Sequence, residues 1–347
     1  MIALGVDAWN LPGDRRGIGR YLREILRVWW ERDRHRVEVT LIVPEWHTWT
    51  VQRRYLREVQ GRPYRVVSRR FHRRAGLDAL WFPFNGCSWT SFALPAIATL
   101  HDASNFVVPN YAPATQVIFR AAAQRCRALI TDSRFAQREL ARELEISPQR
   151  LVPIPLGVNP PRPPVSVGLD VAALGPYVLY VGTAEYRKGF DVLLAAMAQV
   201  ARERPEVALV ATTQLDGWEL PSGVRVTAVG HVDDDTLAAL YRGSLALVFP
   251  SRHEGFGLPV LEAMSYGTPV IAASASAVPE AGGNVACYVP PGDDMALATA
   301  ILRVAGDAAY AAELRRRGPV HAAAFTWEKT ASLTLATIES TIEGTLP

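Results

Sequence analysis

The sequence contains little lysine and little cysteine. Lys188 and Lys329 are the only lysines among 347 residues, so its basic character comes almost wholly from arginine. The three cysteines, Cys87, Cys126 and Cys287, are odd in number, widely spaced and without a Cys-x-x-Cys pair. This pattern favours thiols in the core of a protein from a reducing cytoplasm.

The sequence also lacks an apolar run long enough to cross a bilayer. Residues Met1–Asp7 read as a first strand, because they have neither the basic leader nor the cleavage site of a signal peptide. We therefore expect a cytoplasmic protein. With 347 residues, 49% of them hydrophobic, the chain is long enough for two α/β domains with separate cores.

Charge is distributed unevenly along the chain. Residues 1–160 carry 24 arginines against 14 acidic residues, whereas residues 161–347 carry 13 basic residues against 20 acidic ones. A basic half joined to an acidic half suggests an anionic partner for the first. The base composition of the genome is the alternative explanation for so much arginine.

The stretch Pro250–Met264 carries the strongest functional signal. Apolar runs of buried-strand length precede and follow it, at 245–249 and 270–273, so a strand–loop–helix–strand unit is predicted. The backbone amides around Gly257 and Leu258 would lie at a helix N-terminus, which favours an anion such as a diphosphate.

Two acids belong to the same stretch. Glu254 lies in the predicted loop and Glu262 one turn into the helix, so both side chains can face one cleft and accept hydrogen bonds from the hydroxyls of a ribose and a sugar. The alternative is a first-turn acid favoured by the helix dipole and a solvated loop acid. The string from Glu254 to Ile271 resembles the Glu-x7-Glu signature of the family-4 retaining glycosyltransferases.

This resemblance implies an α/β protein of the GT-B fold, with two Rossmann-like domains facing a central cleft. We expect an N-terminal acceptor-binding domain at residues 1–160, with a C-terminal helix at about 330–347 packing back on it. Residues 161–329 would form the nucleotide-sugar-binding domain. The proline-rich segment 160–164 is typical of a stiff linker.

Two positions in the first domain also match the family. Gly17-Ile18-Gly19 precedes a helix predicted from Arg20, and such a pattern alone is more typical of a plain turn than of a phosphate cradle. The resemblance implies that the backbone near Gly19 meets the donor diphosphate. His101 follows the buried strand 96–100, at the end where open α/β sheets place ligands. The family carries a histidine there that meets the donor sugar, although most lone histidines are structural.

In the second domain, the loop 182–189 contains an adjacent Arg187-Lys188 pair. The resemblance implies that an arginine and a lysine of this loop bind the diphosphate, and Lys188 matches the family lysine. The usual arginine is replaced by Thr183, so we expect Arg187 to take its role. A solvated pair at a turn is the alternative. Val232 lies where the family holds the nucleobase.

Asp233-Asp234-Asp235 has the Asp-x-Asp spacing of metal-dependent glycosyltransferases of the other major fold. Here it opens a predicted helix, where acids complement the dipole. No histidine or further acid cluster offers the remaining ligands. We therefore expect a helix cap, no metal and no other cofactor.

Residues Arg53–Arg74 hold nine arginines interleaved with Tyr55, Leu56, Tyr64 and Phe71. A solvated face around a strand is one interpretation, and an anionic membrane surface or polyanion is the other. Nucleic acid is disfavoured because no recognised binding motif accompanies the arginines.

Taken with these features, the resemblance implies a retaining, metal-independent glycosyltransferase at the cytoplasmic face of a membrane. It would move a hexose, of mannosyl type, from a nucleotide-sugar donor to a glycan or lipid-linked acceptor in polysaccharide or glycoconjugate biosynthesis. The alternatives are another GT-B enzyme, such as a nucleotide-sugar epimerase, and a non-catalytic sugar-nucleotide-binding subunit. A phosphorylase is disfavoured because it needs a lysine for pyridoxal phosphate, and one of the two lysines is already assigned.

Overall fold

A computed structural model describes residues 1–13, 17–44, 49–109 and 115–345, without the side chains of 49–51. The chain divides into two compact units. The first comprises Met1–Gly157 and Thr326–Pro347, and the second comprises Val158–Phe325. Each unit is a Rossmann-like α/β domain built on one parallel sheet, as the sequence predicts.

The strands are short and follow the apolar runs of the sequence. In chain order they are β1 (Ile2–Asp7), β2 (Val37–Val43), β3 (Arg65–Ser68), β4 (Ala79–Phe82), β5 (Ala96–Thr99), β6 (Ala128–Thr131), β7 (Leu151–Pro153), β8 (Tyr177–Tyr180), β9 (Ala208–Ala211), β10 (Val226–Ala228), β11 (Ala246–Phe249), β12 (Val270–Ala273) and β13 (Cys287–Val289). Every residue of β4, β5, β6, β8, β9, β11 and β12 is buried. Burial of all their residues explains why these strands are apolar runs and do not alternate.

Helices form most of the connections between the strands. Within the described residues they are α1 (Gly17–Val28), α2 (Trp49–Glu58), α3 (Ser104–Val107), α4 (Gln116–Arg125), α5 (Arg134–Glu143), α6 (Phe190–Glu203), α7 (Asp234–Gly243), α8 (Leu258–Ser265), α9 (Val278–Gly282), α10 (Asp294–Gly306), α11 (Ala308–Ala322) and α12 (Trp327–Glu343). No single one of them is long and apolar enough to cross a membrane. One bent pair, 294–306 with 308–343, meets the length and composition only when taken together.

Two helices differ from the sequence-based expectation. The first was expected from about Arg20, yet α1 already begins at Gly17 and continues into a π-helical turn, Trp29–Asp33. Proline normally ends or kinks a helix, yet α11 contains Pro319 and continues to Ala322. Gly318 lies against the backbone of Met264 in α8, so packing holds this part of α11 in place.

The C-terminal helix α12 packs within the first unit. The indole Nε1 of Trp29 donates to the carbonyl of Ala331 at 3.0 Å, and Arg36 forms an ion pair with Glu339 at 2.7 Å. A side chain at Gly157 would overlap the backbone at Trp327. The start of α12 therefore packs directly against the segment that follows β7.

In both sheets the strand order reverses once. The first sheet runs β3-β2-β1-β4-β5-β6-β7, so its order reverses between β1 and β4. The second runs β10-β9-β8-β11-β12-β13 and reverses between β8 and β11. Crevices that bind ligands in open α/β sheets lie at the carboxyl ends of the strands at such reversals.

Candidate active site

The reversal point of the second sheet carries a partly buried ion pair. Lys188 lies in the loop after β8, and Glu254 lies in the loop after β11. The Nζ of Lys188 donates to Oε1 of Glu254 at 2.5 Å, and Glu254 is only 7% exposed. The structure therefore brings together two of the residues that the sequence assigned to the reaction.

A glycine lets these two loops approach. Gly189 follows Lys188 with φ of 70°, a conformation that disfavours other residues. A Cβ at this position would overlap the carbonyl of Pro250, the residue after β11. The sequence pattern marked Gly189 only as the end of the loop, whereas the structure shows why a side chain is excluded.

Arg187 lies beside the ion pair. Its guanidinium donates to the carbonyl of His253 at 2.9 Å and to Glu185 at 2.7 Å, and one nitrogen is 3.8 Å from Oε2 of Glu254. Thr183, which stands where the family has its arginine, donates its hydroxyl to Glu185 at 3.0 Å. Arg187 is thus held next to Lys188 and Glu254, and its diphosphate role stays a prediction.

The backbone of Glu254 has a partner that the sequence analysis missed. Its amide donates to the hydroxyl of Ser276 at 2.9 Å. Ser276 follows β12 and has φ of 49°, which is uncommon for a residue with a side chain. The only feature of the sequence that could have pointed to Ser276 was its place after the carboxyl end of a predicted strand. Three neighbouring strand ends thus contribute to the position of one carboxylate.

Helix α8 begins directly after this loop. Gly257 precedes its first residue, Leu258, and has φ of 99°, so the amides predicted to bind an anion do lie at a helix N-terminus. One turn later, Oε2 of Glu262 accepts from the hydroxyl of Tyr241 at 3.1 Å. The Tyr241 ring stacks on Tyr266 with centroids 5.6 Å apart, which fixes the hydroxyl beside Glu262.

The acidic run after β10 serves helix α7. Asp233 accepts from the amide of Thr236 at 2.8 Å, so the predicted cap is confirmed. Asp234 and Asp235 form ion pairs with Arg162 at 3.0 and 2.7 Å. Val232, assigned to the nucleobase, is half-buried just before this cap.

In the first unit, His101 follows β5 and is 6% exposed. Its Nδ1 lies 2.8 Å from Oδ2 of Asp132, which follows the neighbouring strand β6. Its Nε2 lies 2.9 Å from the carbonyl oxygen of Pro83, and its backbone amide donates to Asn85. Both ring nitrogens therefore face oxygens of the same unit, a geometry that the sequence did not predict for a residue assigned to the donor sugar.

These partners control the proton on His101. Burial alone would lower its pKa, but the charge and hydrogen bond of Asp132 and the Pro83 carbonyl together raise the pKa above the usual 6.5. Burial raises the pKa of Asp132, against the opposing charge of His101. Since a carbonyl oxygen only accepts, Nε2 must carry a proton. The pair therefore favours an imidazolium facing a carboxylate.

The first unit also holds the glycine pattern. Gly17 and Gly19 lie in the first turn of α1, not in a preceding loop as expected, and Gly19 is buried. Residues 14–16, which complete the expected loop, lie outside the described residues. The assignment of Gly19 to the donor diphosphate therefore stays a prediction.

Comparison with known proteins identifies the group to which the chain is similar. The family model described as glycosyl transferases group 1 matches residues 175–307. The O-antigen chain mannosyltransferase B of Escherichia coli is 30% identical over 263 residues, covering 69% of this chain and 69% of that protein.

Solved structures share the architecture. Sucrose-phosphate synthase from Thermosynechococcus elongatus has a TM-score of 0.72 at 22% identity, covering 99% of this chain and 100% of that one. HepE from Anabaena, in complex with UDP-glucose, has a TM-score of 0.73 at 17% identity, covering 98% and 100%. At these identities the likeness shows the fold, and it confirms the predicted GT-B class.

The His101–Asp132 pair makes a testable prediction. In Asp132→Asn the burial of His101 remains while its charged partner is lost, so we expect the pKa of His101 to fall below its usual value of 6.5. Wild-type His101, with its raised pKa, stabilises the fold below pH 6.5 and loses that contribution as the pH rises through the raised value. An NMR titration of the imidazole resonances measures the pKa, and denaturant unfolding at a series of pH values measures the stability.

Asp102→Asn is the matched control, because Asp102 contributes least among the groups that raise this pKa. Its His101 should titrate close to the wild-type value. An unchanged His101 pKa in Asp132→Asn would contradict the assignment of Asp132 as the partner that holds the proton.

Proposed function

Because the chain belongs to the group 1 glycosyltransferases, we propose that it transfers a hexose from a nucleotide-sugar donor to a glycan or lipid-linked acceptor, with retention of anomeric configuration. The observation that carries this proposal is the set formed by Lys188, Arg187 and Glu254 beside the N-terminus of α8, at the reversal point of the second sheet. The similarity to a mannosyltransferase supports a mannosyl donor and a role in polysaccharide assembly.

The donor would bind through charge and hydroxyl contacts of the second unit. Lys188, Arg187 and the amides at Gly257 and Leu258 are suited to the diphosphate, because they provide positive charge and donors where negative charge grows on the leaving group. Glu254 would accept from hydroxyls of the sugar. HepE binds UDP-glucose with the same fold, which supports a nucleotide-sugar as the ligand.

The state of the two acids favours a front-face reaction over a double displacement as the route to retention. Glu254 is engaged by Lys188, and Glu262 accepts from Tyr241. Neither is therefore positioned as an independent nucleophile. In the proposed front-face reaction the bond from the anomeric carbon to the diphosphate breaks while the acceptor oxygen approaches from the same side. A diphosphate oxygen then takes the acceptor proton.

We also propose that no metal takes part. Among the described residues, no group of three or more His, Cys, Asp or Glu side chains could hold a metal ion. The acids with Asp-x-Asp spacing are used for capping and for pairing with Arg162. Lys188 and Arg187 supply the positive charge that a metal would otherwise provide.

A donor screen tests the proposed function. A thermal-shift panel of GDP-, UDP-, ADP- and dTDP-sugars should reveal one that stabilises the protein, since a ligand at 100 times its Kd adds about 2.7 kcal/mol. The protein should slowly hydrolyse that donor, and should still do so in EDTA. Lys188→Met should abolish the shift, whereas Lys329→Met, which replaces the only other lysine, should retain it.

Two outcomes would overturn parts of the proposal. Binding without any turnover would indicate a non-catalytic sugar-nucleotide-binding subunit. Turnover that EDTA removes and Mg²⁺ or Mn²⁺ restores would show that a metal takes part.

We expect the two acids to bind different parts of the donor. Because Glu262 lies within α8 and Glu254 in the loop before it, we expect Glu262→Ala to weaken binding of the bare nucleoside diphosphate and Glu254→Ala to affect mainly the sugar. Loss of one charged hydrogen-bond partner costs about 1.5–3 kcal/mol, or roughly 10- to 150-fold in Kd. Calorimetry measures this, with the exposed Glu219→Ala as control. Equal losses in the Glu254 and Glu262 variants would refute the division.

We further propose that the first unit binds an anionic membrane surface, which would suit a lipid-linked acceptor. Fewer residues of the range 53–74 are exposed to a membrane than the sequence suggests. Tyr55 and Tyr64 are buried, and Arg69 points to Asp7. The turn Arg69–Arg74 nevertheless exposes three arginines around the half-exposed Phe71, namely Arg70, Arg73 and Arg74.

Each basic side chain near an anionic leaflet contributes about 1 kcal/mol, so these three contribute about 3 kcal/mol. We expect co-sedimentation with vesicles that contain phosphatidylglycerol, less with rising salt, and little after Arg70, Arg73 and Arg74 become Ser. A control variant replaces three other exposed arginines, Arg32, Arg34 and Arg202. Equal recovery of the protein with anionic and with neutral vesicles would contradict the proposal.

A further inference from the structure

The reversal point of the first sheet holds a polar cluster that the proposed reaction does not use. Asp7 ends β1, Arg69 follows β3, and Ser88 lies in the loop after β4. These three residues come from the carboxyl ends of strands around the place where the strand order reverses. Open α/β sheets bind their ligands at this position.

The cluster is connected internally by hydrogen bonds. Ser88 donates its hydroxyl to Oδ2 of Asp7. The NH2 group of Arg69 donates to the Ser88 hydroxyl at 2.8 Å and lies 3.5 Å from Oδ1 of Asp7. Asp7 is 2% exposed, so a carboxylate and a guanidinium are both held in a mostly buried position.

One donor of the cluster has no partner among the described residues. The Nε of Arg69 is buried without a hydrogen bond, whereas the indole of Trp89 faces the Asp7 carboxyl. His72 packs edge-on against Trp89 with centroids 4.6 Å apart, and its Nδ1 lies 2.7 Å from the Arg69 carbonyl, so Arg69 and Trp89 are held in place. Buried donors normally have partners, and a ligand oxygen would supply one.

A partly exposed aromatic residue follows β1, the strand that ends in Asp7. Trp9, two residues after Asp7, is 39% exposed and packs edge-on against the buried Phe84 at 6.1 Å. Its carbonyl accepts from the hydroxyl of Tyr55 at 3.1 Å. The indole is therefore fixed by the interior and leaves part of its surface to a ligand.

From this arrangement we propose that Trp9, Arg69, Asp7 and Ser88 form a subsite for a neutral sugar ring of the acceptor. The apolar face of the sugar packs on Trp9, and its hydroxyls exchange hydrogen bonds with the charged pair. Because Asp7 offsets the charge of Arg69 and repels anions, the subsite favours a neutral sugar over a phosphate. This proposal rests on the proposed function only in identifying that sugar as part of the acceptor.

Saturation-transfer difference NMR tests the subsite without a donor. The probes are methyl α-mannopyranoside, methyl α-glucopyranoside and methyl N-acetyl-β-glucosaminide, with inorganic phosphate as competitor. We expect at least one glycoside to bind, and Arg69→Gln and Trp9→Ala each to weaken it by about tenfold or more. Arg32→Gln, which replaces an exposed arginine of the same unit, should bind as wild type does.

Trp9→Ala keeps the test valid if Arg69→Gln disturbs the fold, since Trp9 is partly exposed, and circular dichroism melting checks both variants. Wild-type protein that binds no glycoside, binding that both variants retain, or displacement of the glycoside by phosphate would each overturn the proposal.

Donor hydrolysis is measured on the same samples. Glycoside binding without any hydrolysis would count against the proposed function alone. Normal hydrolysis without glycoside binding would count against the subsite alone.

Discussion

Both units depend on the geometry of a parallel sheet, which places every strand's carboxyl end on one edge. In the second unit this edge brings Lys188 and Glu254 together from loops that are 66 residues apart in sequence. The pair is partly buried and well aligned, so removing either partner would leave the other charge without compensation. Gly189 makes the approach possible, since a side chain there would overlap the neighbouring loop. The positions of Arg187 and of the start of α8 follow from the same two loops.

The first unit uses its sheet edge differently. His101 and Asp132 leave neighbouring strands and hold a proton between them, with Pro83 accepting at the other ring nitrogen. A histidine with both nitrogens engaged presents little to a ligand. The His101–Asp132 pair is therefore better suited to fix the strand-end loops and supply a local positive charge than to exchange protons.

Much of this architecture could be predicted from the sequence, because buried parallel strands are uninterrupted apolar runs and the Glu254–Ile271 string is long. The cap at Asp233 was predictable for a similar reason, since a cap depends on residues three positions apart. The pairing of His101 with Asp132 and of Glu254 with Ser276 was not predictable. These contacts join residues 31 and 22 positions apart, and only the strand order determines which loops meet.

A count of arginines does not show how many of them are available to an anionic partner. Arg150 donates to the carbonyls of Ala123 and Cys126, and Arg315, whose pKa is lowered by burial, donates to three carbonyls around Ser244. Guanidinium groups suit such places because several fixed donors can satisfy separate acceptors. Some arginines, among them Arg150 of the basic first half, thus serve internal structure. Lysine offers a compact charge instead, which is consistent with its use at the pair with Glu254, where one ammonium group faces one carboxylate.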